Sequence, residues 1–367
     1  MNDANKEPPL VVRIEPSVAM VHRPRPGLGE AIVWCLIFVM TQVVAAAIGT
    51  TLVMGLLALR TDEPGQFLED QLQGFSEATR SDSETAQHPV PKEFGYALAW
   101  GILTAQLAAL GLVMLVLPRR IGPTWKRQLG VRRPALGHLL LVVLMAPGFM
   151  VAADGIHAAF LGLTGLQPQS LSRIIHSLFG SFPWPLTLLA VAIGPGVVEE
   201  LWCRGFVGRG LCARYGMVTG VILTSVLFAL MHADLIQLLI FTLMGAYLHG
   251  VYLATRSIWP PVVLHACNNG LGVLLELNIP PPTLAAFPPL LGYLLAFAVV
   301  GFGSWALWQS RTRIVSSSSW QPEYPGISIP PPQMGTTIPF TMFNRLAGVG
   351  LLVAWAGLMY FFAQLAR

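Results

Sequence analysis

Apolar residues along this chain fall in long runs, broken by short polar stretches. The runs cover about residues 31–59, 94–117, 139–163, 184–215, 217–233, 235–254, 260–277, 290–308 and 346–365. Most reach the roughly 20 residues that an α-helix needs to cross a bilayer. The pattern predicts an all-α polytopic membrane protein, a bundle of about eight or nine transmembrane helices. The 31–59 run exceeds the roughly 7–15 apolar residues of a signal peptide, so it reads as a span. Pro147-Gly148 predicts an interruption of the third run.

The polar stretches divide the chain. Residues 1–29 lack periodicity and read as a disordered cytoplasmic arm. Residues 30–138 hold the first two spans, and 139–308 form the central core. Residues 309–345 are a Ser/Pro-rich cytoplasmic linker, and 346–367 the last helix.

Composition agrees with the pattern. The chain of 367 residues is 54% hydrophobic and only 11% charged, against about 25% charged in soluble domains. The net charge of +4 is small, and its placement matters more. The 61–92 loop holds seven acids and two bases and reads as external. The next loop holds Arg119, Arg120, Lys126, Arg127, Arg132 and Arg133 without an acid and reads as cytoplasmic. Arg204, Arg209, Arg214 and Arg256 mark the inside again, which puts the amino terminus in the cytoplasm. No basic stripe with interleaved aromatics is present, so nucleic acid is excluded as a partner. Cys35, Cys203, Cys212 and Cys267 show no CxxC spacing, so neither a disulfide framework nor a thiolate metal site is indicated. They read as small buried hydrophobes.

Polar groups inside the runs are costly, and so they are candidates for function. Three patches stand out: Glu199, Glu200 and Arg204; Phe228 and His232; His265 and Asn269. Each of the pairs Glu200/Arg204, Phe228/His232 and His265/Asn269 is spaced i,i+4 and shares a helix face. Glu199 and His232 lie at similar distances on either side of the Tyr215-Gly216 turn, roughly 24 Å at about 1.5 Å per residue. His265 is nearer its own turn at Arg256, roughly 13 Å on the same rise. The depths agree only if the 204–215 stretch projects or tilts, or if the later helices are short or broken.

The chemistry these types suit is activated-water attack. A carboxylate out of bulk water is a better proton acceptor. Arg204 holds Glu200 charged, which leaves Glu199 as the candidate base, with His232 sharing the water. His265 and Asn269 can donate to a developing oxyanion. The set Glu199, His232 and His265 also suits Zn2+ or another divalent metal. Taken singly, each patch has a structural reading: a buried ion pair, a hydrogen-bonded histidine, a polar fixture between helices. Their joint occurrence favours catalysis. Asp154 and His157 are read as facing a watery external vestibule or pairing with each other.

Glu199-Glu200-x-x-x-Arg204, Phe228-x-x-x-His232 and His265-x-x-x-Asn269, in this order on successive apolar segments, resemble the three motifs of the CAAX-protease and bacteriocin-processing (CPBP) family of intramembrane proteases. The resemblance covers about residues 194–277. It implies a helical bundle whose site opens to the cytoplasmic side. It implies water activated by Glu199 with His232, and an oxyanion hole from His265 and Asn269. The division of labour between Glu199 and Glu200 rests mainly on it. Family members are described both as metalloproteases and as metal-free glutamate enzymes. Eukaryotic members trim prenylated CAAX proteins. The reading is therefore an endopeptidase of a prokaryotic cytoplasmic membrane, acting on a membrane-tethered or hydrophobic, CAAX-like peptide among membrane lipids. Its rivals are a non-catalytic scaffold or bacteriocin-immunity protein, and a proton-coupled transporter.

Overall fold

The computed structural model of the protein describes residues 25–80, 90–166, 182–278, 289–312 and 342–365. All regular structure among them is helical. In chain order the helices are α1 (Leu28–Ala58), α2 (Pro64–Arg80), α3 (Lys92–Ile121), α4 (Trp125–Gln128) and α5 (Leu136–Thr164). They continue as α6 (Trp184–Tyr215), α7 (Met217–Leu230), α8 (Leu238–Thr255), α9 (Trp259–Asn278), α10 (Pro289–Gln309) and α11 (Met342–Leu365). Six of these (α1, α3, α5, α6, α8 and α10) are long and apolar enough to cross a membrane. Helices suit that setting because they satisfy their backbone polar groups internally. Leu36, Leu52, Leu107, Leu140 and Leu294 point outward, so the bundle is apolar outside as well as inside. The protein is an all-α polytopic membrane protein.

Helix α1 packs on α3, and α10 packs on both α5 and α11. Between these pairs, α6 runs against α9, and α7 packs on α8 and on the end of α6. Small residues set the closest approaches. A Cβ on Gly49 of α1 would lie 3.1 Å from the Gly101 Cα of α3, a contact that only small residues allow. Beside α6 the core is aromatic: Phe38 stacks on Trp202 at 4.9 Å between centroids, and Trp34 meets Trp202 edge-on at 6.0 Å.

Four expectations change. The 61–92 stretch is not all loop, because α2 forms within it. Phe67, Leu68, Phe75 and Ala78 of α2 pack on Met54, Val90, Phe94 and Ala97; their helical spacing was hidden by the surrounding acids. Helix α5 is not interrupted at Pro147-Gly148; it runs through. Gly148 instead seats α5 against α10, where an added Cβ would fall 2.6 Å from Val299. Helix α7 stops at Leu230, three residues short of 233, and α8 begins at Leu238 rather than 235. Ala233, at φ 53°, turns the chain in the left-handed region between them.

The fourth concerns α6, which is not a uniform α-helix. Leu188–Ile193 and Leu201–Val207 are π-helical, and Gly194–Glu200 between them is α-helical. Such wider turns carry more residues per turn and recur at functional sites. Pro195 supplies a cause for the first one, since it has no N–H to give to a carbonyl in the preceding turn. The second one lies between Glu199 and the Tyr215-Gly216 turn. It uses residues with little advance along the axis, so Glu199 and Glu200 sit closer to the turn than a uniform rise places them. That brings them towards the level of His265.

The 129–133 part of the basic loop is tied to the α8–α9 junction. Arg132 Nε donates to Arg256 O at 2.7 Å, Ser257 Oγ to Arg132 O at 3.0 Å, and Tyr252 Oη to Leu129 O at 3.1 Å. The expected arm at 1–29 and linker at 309–345 lie mostly outside the described residues.

Candidate active site

Helices α6, α7, α8 and α9 bring all the motif residues together. Glu200 is fully buried and Arg204 is 1% exposed. Arg204 Nη1 donates to Glu200 Oε1 at 2.7 Å, and Nη2 donates to Gly245 O of α8 at 2.9 Å. The guanidinium also lies 4.7 Å from the Phe228 ring centroid of α7. Gly245 makes the α7–α8 contact possible, because a Cβ there would sit 3.2 Å from both Ser225 and Phe228. One arginine thus ties α6, α7 and α8.

His265 of α9 completes the inner group. Its Nδ1 lies 2.9 Å from Glu200 Oε1. A carboxylate accepts and does not donate, so Nδ1 carries the hydrogen and Nε2 faces away from Glu200. Gly196 permits this approach: an added Cβ would meet the Ala266 Cβ at 3.0 Å.

Glu199 faces a different environment. It lines a cavity of about 470 Å3, which Glu200 does not. His232 Nε2 lies 3.9 Å from Glu199 Oε2, beyond a direct hydrogen bond but a span one water can bridge. His232 Nδ1 is paired with Phe228 O at 2.9 Å. The carbonyl can only accept, so Nε2 presents its lone pair towards Glu199. The ring is held between Phe228 and Phe241, with centroids at 4.8 and 4.4 Å. Glu199 Oε2 is buried without a protein partner.

Asn269 Nδ2 donates to Val191 O at 3.1 Å, and Asn268 Nδ2 donates to Asn269 Oδ1 at 3.2 Å. Val191 lies four residues before Pro195, the position an ordinary helix would have it serve. A helix irregularity written in the sequence thus exposes the carbonyl that orients a cavity-lining amide.

The cavity also holds residues that spacing alone did not assign to it. Gln106 of α3, Gln237 ahead of α8 and Asn268 line it. Asp154 and His157, expected at an external vestibule or paired together, line the same cavity as Glu199. Each was visible as a polar interruption of an apolar run, but only packing shows where each run faces. Glu199, His232 and His265 do not converge as a three-ligand set. Among the described residues no group of three His, Cys, Asp or Glu side chains could hold a metal ion.

Residues 181–271 match the family described as type II CAAX prenyl endopeptidase Rce1-like. A relative from Bacillus subtilis (strain 168), named "Putative membrane peptidase YdiL", is 25% identical over 187 residues, spanning 49% of this chain and 72% of the relative. No solved structure matches the chain. Both matches support the CPBP resemblance carried by the three motifs.

Proposed function

We propose, from the kinship of residues 181–271 with type II CAAX prenyl endopeptidases, that this membrane protein hydrolyses a peptide bond of a membrane-associated or hydrophobic protein with water activated by Glu199 and His232. The observation that carries the reading is the Glu199 Oε2 to His232 Nε2 separation of 3.9 Å at the wall of the cavity. A water there can donate one hydrogen to the carboxylate and the other to the imidazole.

The chemistry follows from these positions. Glu199 takes a proton from water as its oxygen attacks the scissile carbonyl carbon. The carbonyl π pair moves to oxygen and forms a tetrahedral oxyanion. Asn269 Nδ2 has a second hydrogen, beyond the one given to Val191 O, to donate to that oxygen. His265 Nε2 donates to it only when the ring carries both protons. The C–N bond then breaks as Glu199 passes its proton to the leaving nitrogen. A positioned base of this kind contributes about 10²–10⁴-fold. Glu200 and Arg204 touch no substrate; they position His265 and α8.

The basic loop after α3 and the arginines near the end of α6 support a cytoplasmic amino terminus in a prokaryotic cytoplasmic membrane. The test is cleavage of a hydrophobic peptide library by purified protein and by Glu199→Ala and His232→Ala variants. Undiminished cleavage by both variants would sink the mechanism.

A further inference from the structure

The cavity wall is unusual in what its polar groups offer. Four amides line it, and each amide nitrogen already donates within the protein. Gln106 Nε2 donates to Gln42 Oε1 at 3.5 Å and Gln237 Nε2 to Asp234 Oδ2 at 2.8 Å. Asn268 and Asn269 donate as described above. The Asn268 orientation is fixed by a chain that starts at a backbone carbonyl, since Val191 O can only accept. Each amide nitrogen keeps a second hydrogen, while three oxygens on the cavity-lining residues have no donor to accept from. Gln106 Oε1, Glu199 Oε2 and Asn268 Oδ1 are buried with no protein partner.

Charge points the same way. Glu199 and Asp154 line the cavity, and among the described residues no lysine or arginine does. Asp154 lies on the cavity face of α5 by helical geometry as well: Met150, Ala153, Asp154 and His157 all line the cavity at i, i+3, i+4 and i+7. Tyr293 Oη donates to its Oδ2 across a long 3.4 Å. Buried acceptors without donors are costly, and Asp154 is an exposed residue whose carboxylate is open to a positively charged partner. A free terminal carboxylate would meet two acids and neither lysine nor arginine, with His157, His232 and His265 as the other ionisable groups lining the cavity. A ligand rich in donors and carrying positive charge satisfies the wall.

We propose that this cavity takes a peptide with a lysine or arginine side chain near the scissile bond, with Asp154 as the counter-charge of that side chain and the Asn268 and Gln106 side-chain oxygens accepting its donors. This rests on the peptidase reading and narrows it to substrates with a basic residue inside an apolar segment. The basic head replaces the missing donors, and the methylene stem packs along Ile102, Met150 and Ala153.

The experiment uses the purified full chain in nanodiscs and a matched set of hydrophobic peptides. They differ at one position near the scissile bond: lysine, leucine or glutamate. Each is made in a cleavable form and in a form with a reduced, uncleavable amide. Binding of the uncleavable peptides is read by fluorescence anisotropy, and cleavage of the others by mass spectrometry. The lysine peptide is expected to bind about tenfold tighter than the leucine peptide, as one well-placed charge pair supplies. Asp154→Asn should collapse that ratio towards one, and Asp154→Lys should invert it in favour of the glutamate peptide. Thermal unfolding of both variants checks that they are folded. A variant that does not fold is replaced by Asn268→Leu, which should narrow the lysine-to-leucine ratio. Equal binding of lysine and leucine peptides by the parent protein overturns the proposal, as does an unchanged ratio in the folded variants. Selective binding without any cleavage upholds the basic-side-chain site and removes the peptidase reading on which its role as a substrate site rests.

Discussion

Glu199 and Glu200 are adjacent in the chain and opposite in environment. Glu200 is fully buried, and its Oε1 is shared by Arg204 at 2.7 Å and His265 at 2.9 Å. Glu199 stands at the cavity wall with Oε2 3.9 Å from His232 Nε2. About a hundred degrees of helix rotation separates a buried, paired carboxylate from one at the cavity wall.

The two glutamates should therefore fail differently. Glu199→Gln keeps the shape and removes the base; its thermal midpoint should stay within a few degrees while kcat falls by about 10²–10⁴-fold. Glu200→Gln should lower both, because Arg204 then loses its ionic partner. Parallel unfolding and turnover measurements separate the two. Equal loss of stability in both variants would contradict the assignment.

Arg204→Met removes one partner of a buried ion pair and leaves the Glu200 charge with His265 alone. Truncating such a pair costs about 3–5 kcal/mol. Arg204 also ties α6 to α8 through Gly245 O. The variant should unfold at markedly lower temperature or fail to accumulate. The double variant Glu200→Leu with Arg204→Met should recover part of the stability without activity, since the uncompensated charge is gone.

Gly196→Ala tests the packing that seats His265. The new methyl would sit 3.0 Å from Ala266 Cβ and 3.1 Å from its backbone nitrogen. Helices α6 and α9 must part by a few tenths of an ångström, at a cost of about 1–3 kcal/mol. Turnover should fall more than binding, by about tenfold, because small misplacements of positioned groups weigh on the chemical step. Comparing kcat with the affinity for an uncleavable peptide checks this.

Chelation supplies a further test. The mechanism proposed above is run by side chains and water. Activity after dialysis against EDTA and 1,10-phenanthroline should stay within about twofold, since a catalytic metal contributes several kcal/mol. Loss on dialysis with restoration by Zn2+ would require the site to close around a metal in the working enzyme.

Much of the architecture was legible in the runs themselves. Long apolar stretches can only be helices in lipid, so their number and order could be read directly. The motif residues were equally legible, because each is a polar interruption at i,i+4 spacing. Helix α2 was missed because its acids outweigh Phe67, Leu68 and Phe75 in composition. The unbroken α5 was missed because a proline inside a membrane helix is tolerated where neighbours pack around it, here α10 against Gly148.

The sequence by itself determined that this is a membrane bundle and which few polar side chains in it need an explanation. Hydrophobic runs and the cost of intramembrane charge are local properties, readable one segment at a time. Only the tertiary structure decided which way each polar group faces. Glu200 turns into the protein because Arg204, one turn on along α6, meets Gly245 of α8 and His265 of α9 there. Glu199 turns to the cavity, and Asp154 joins it from α5, far away along the chain. Those relations depend on crossings set by Gly196, Gly245 and Gly148, and on the π-helical turns of α6, and none of these is a periodicity of one segment.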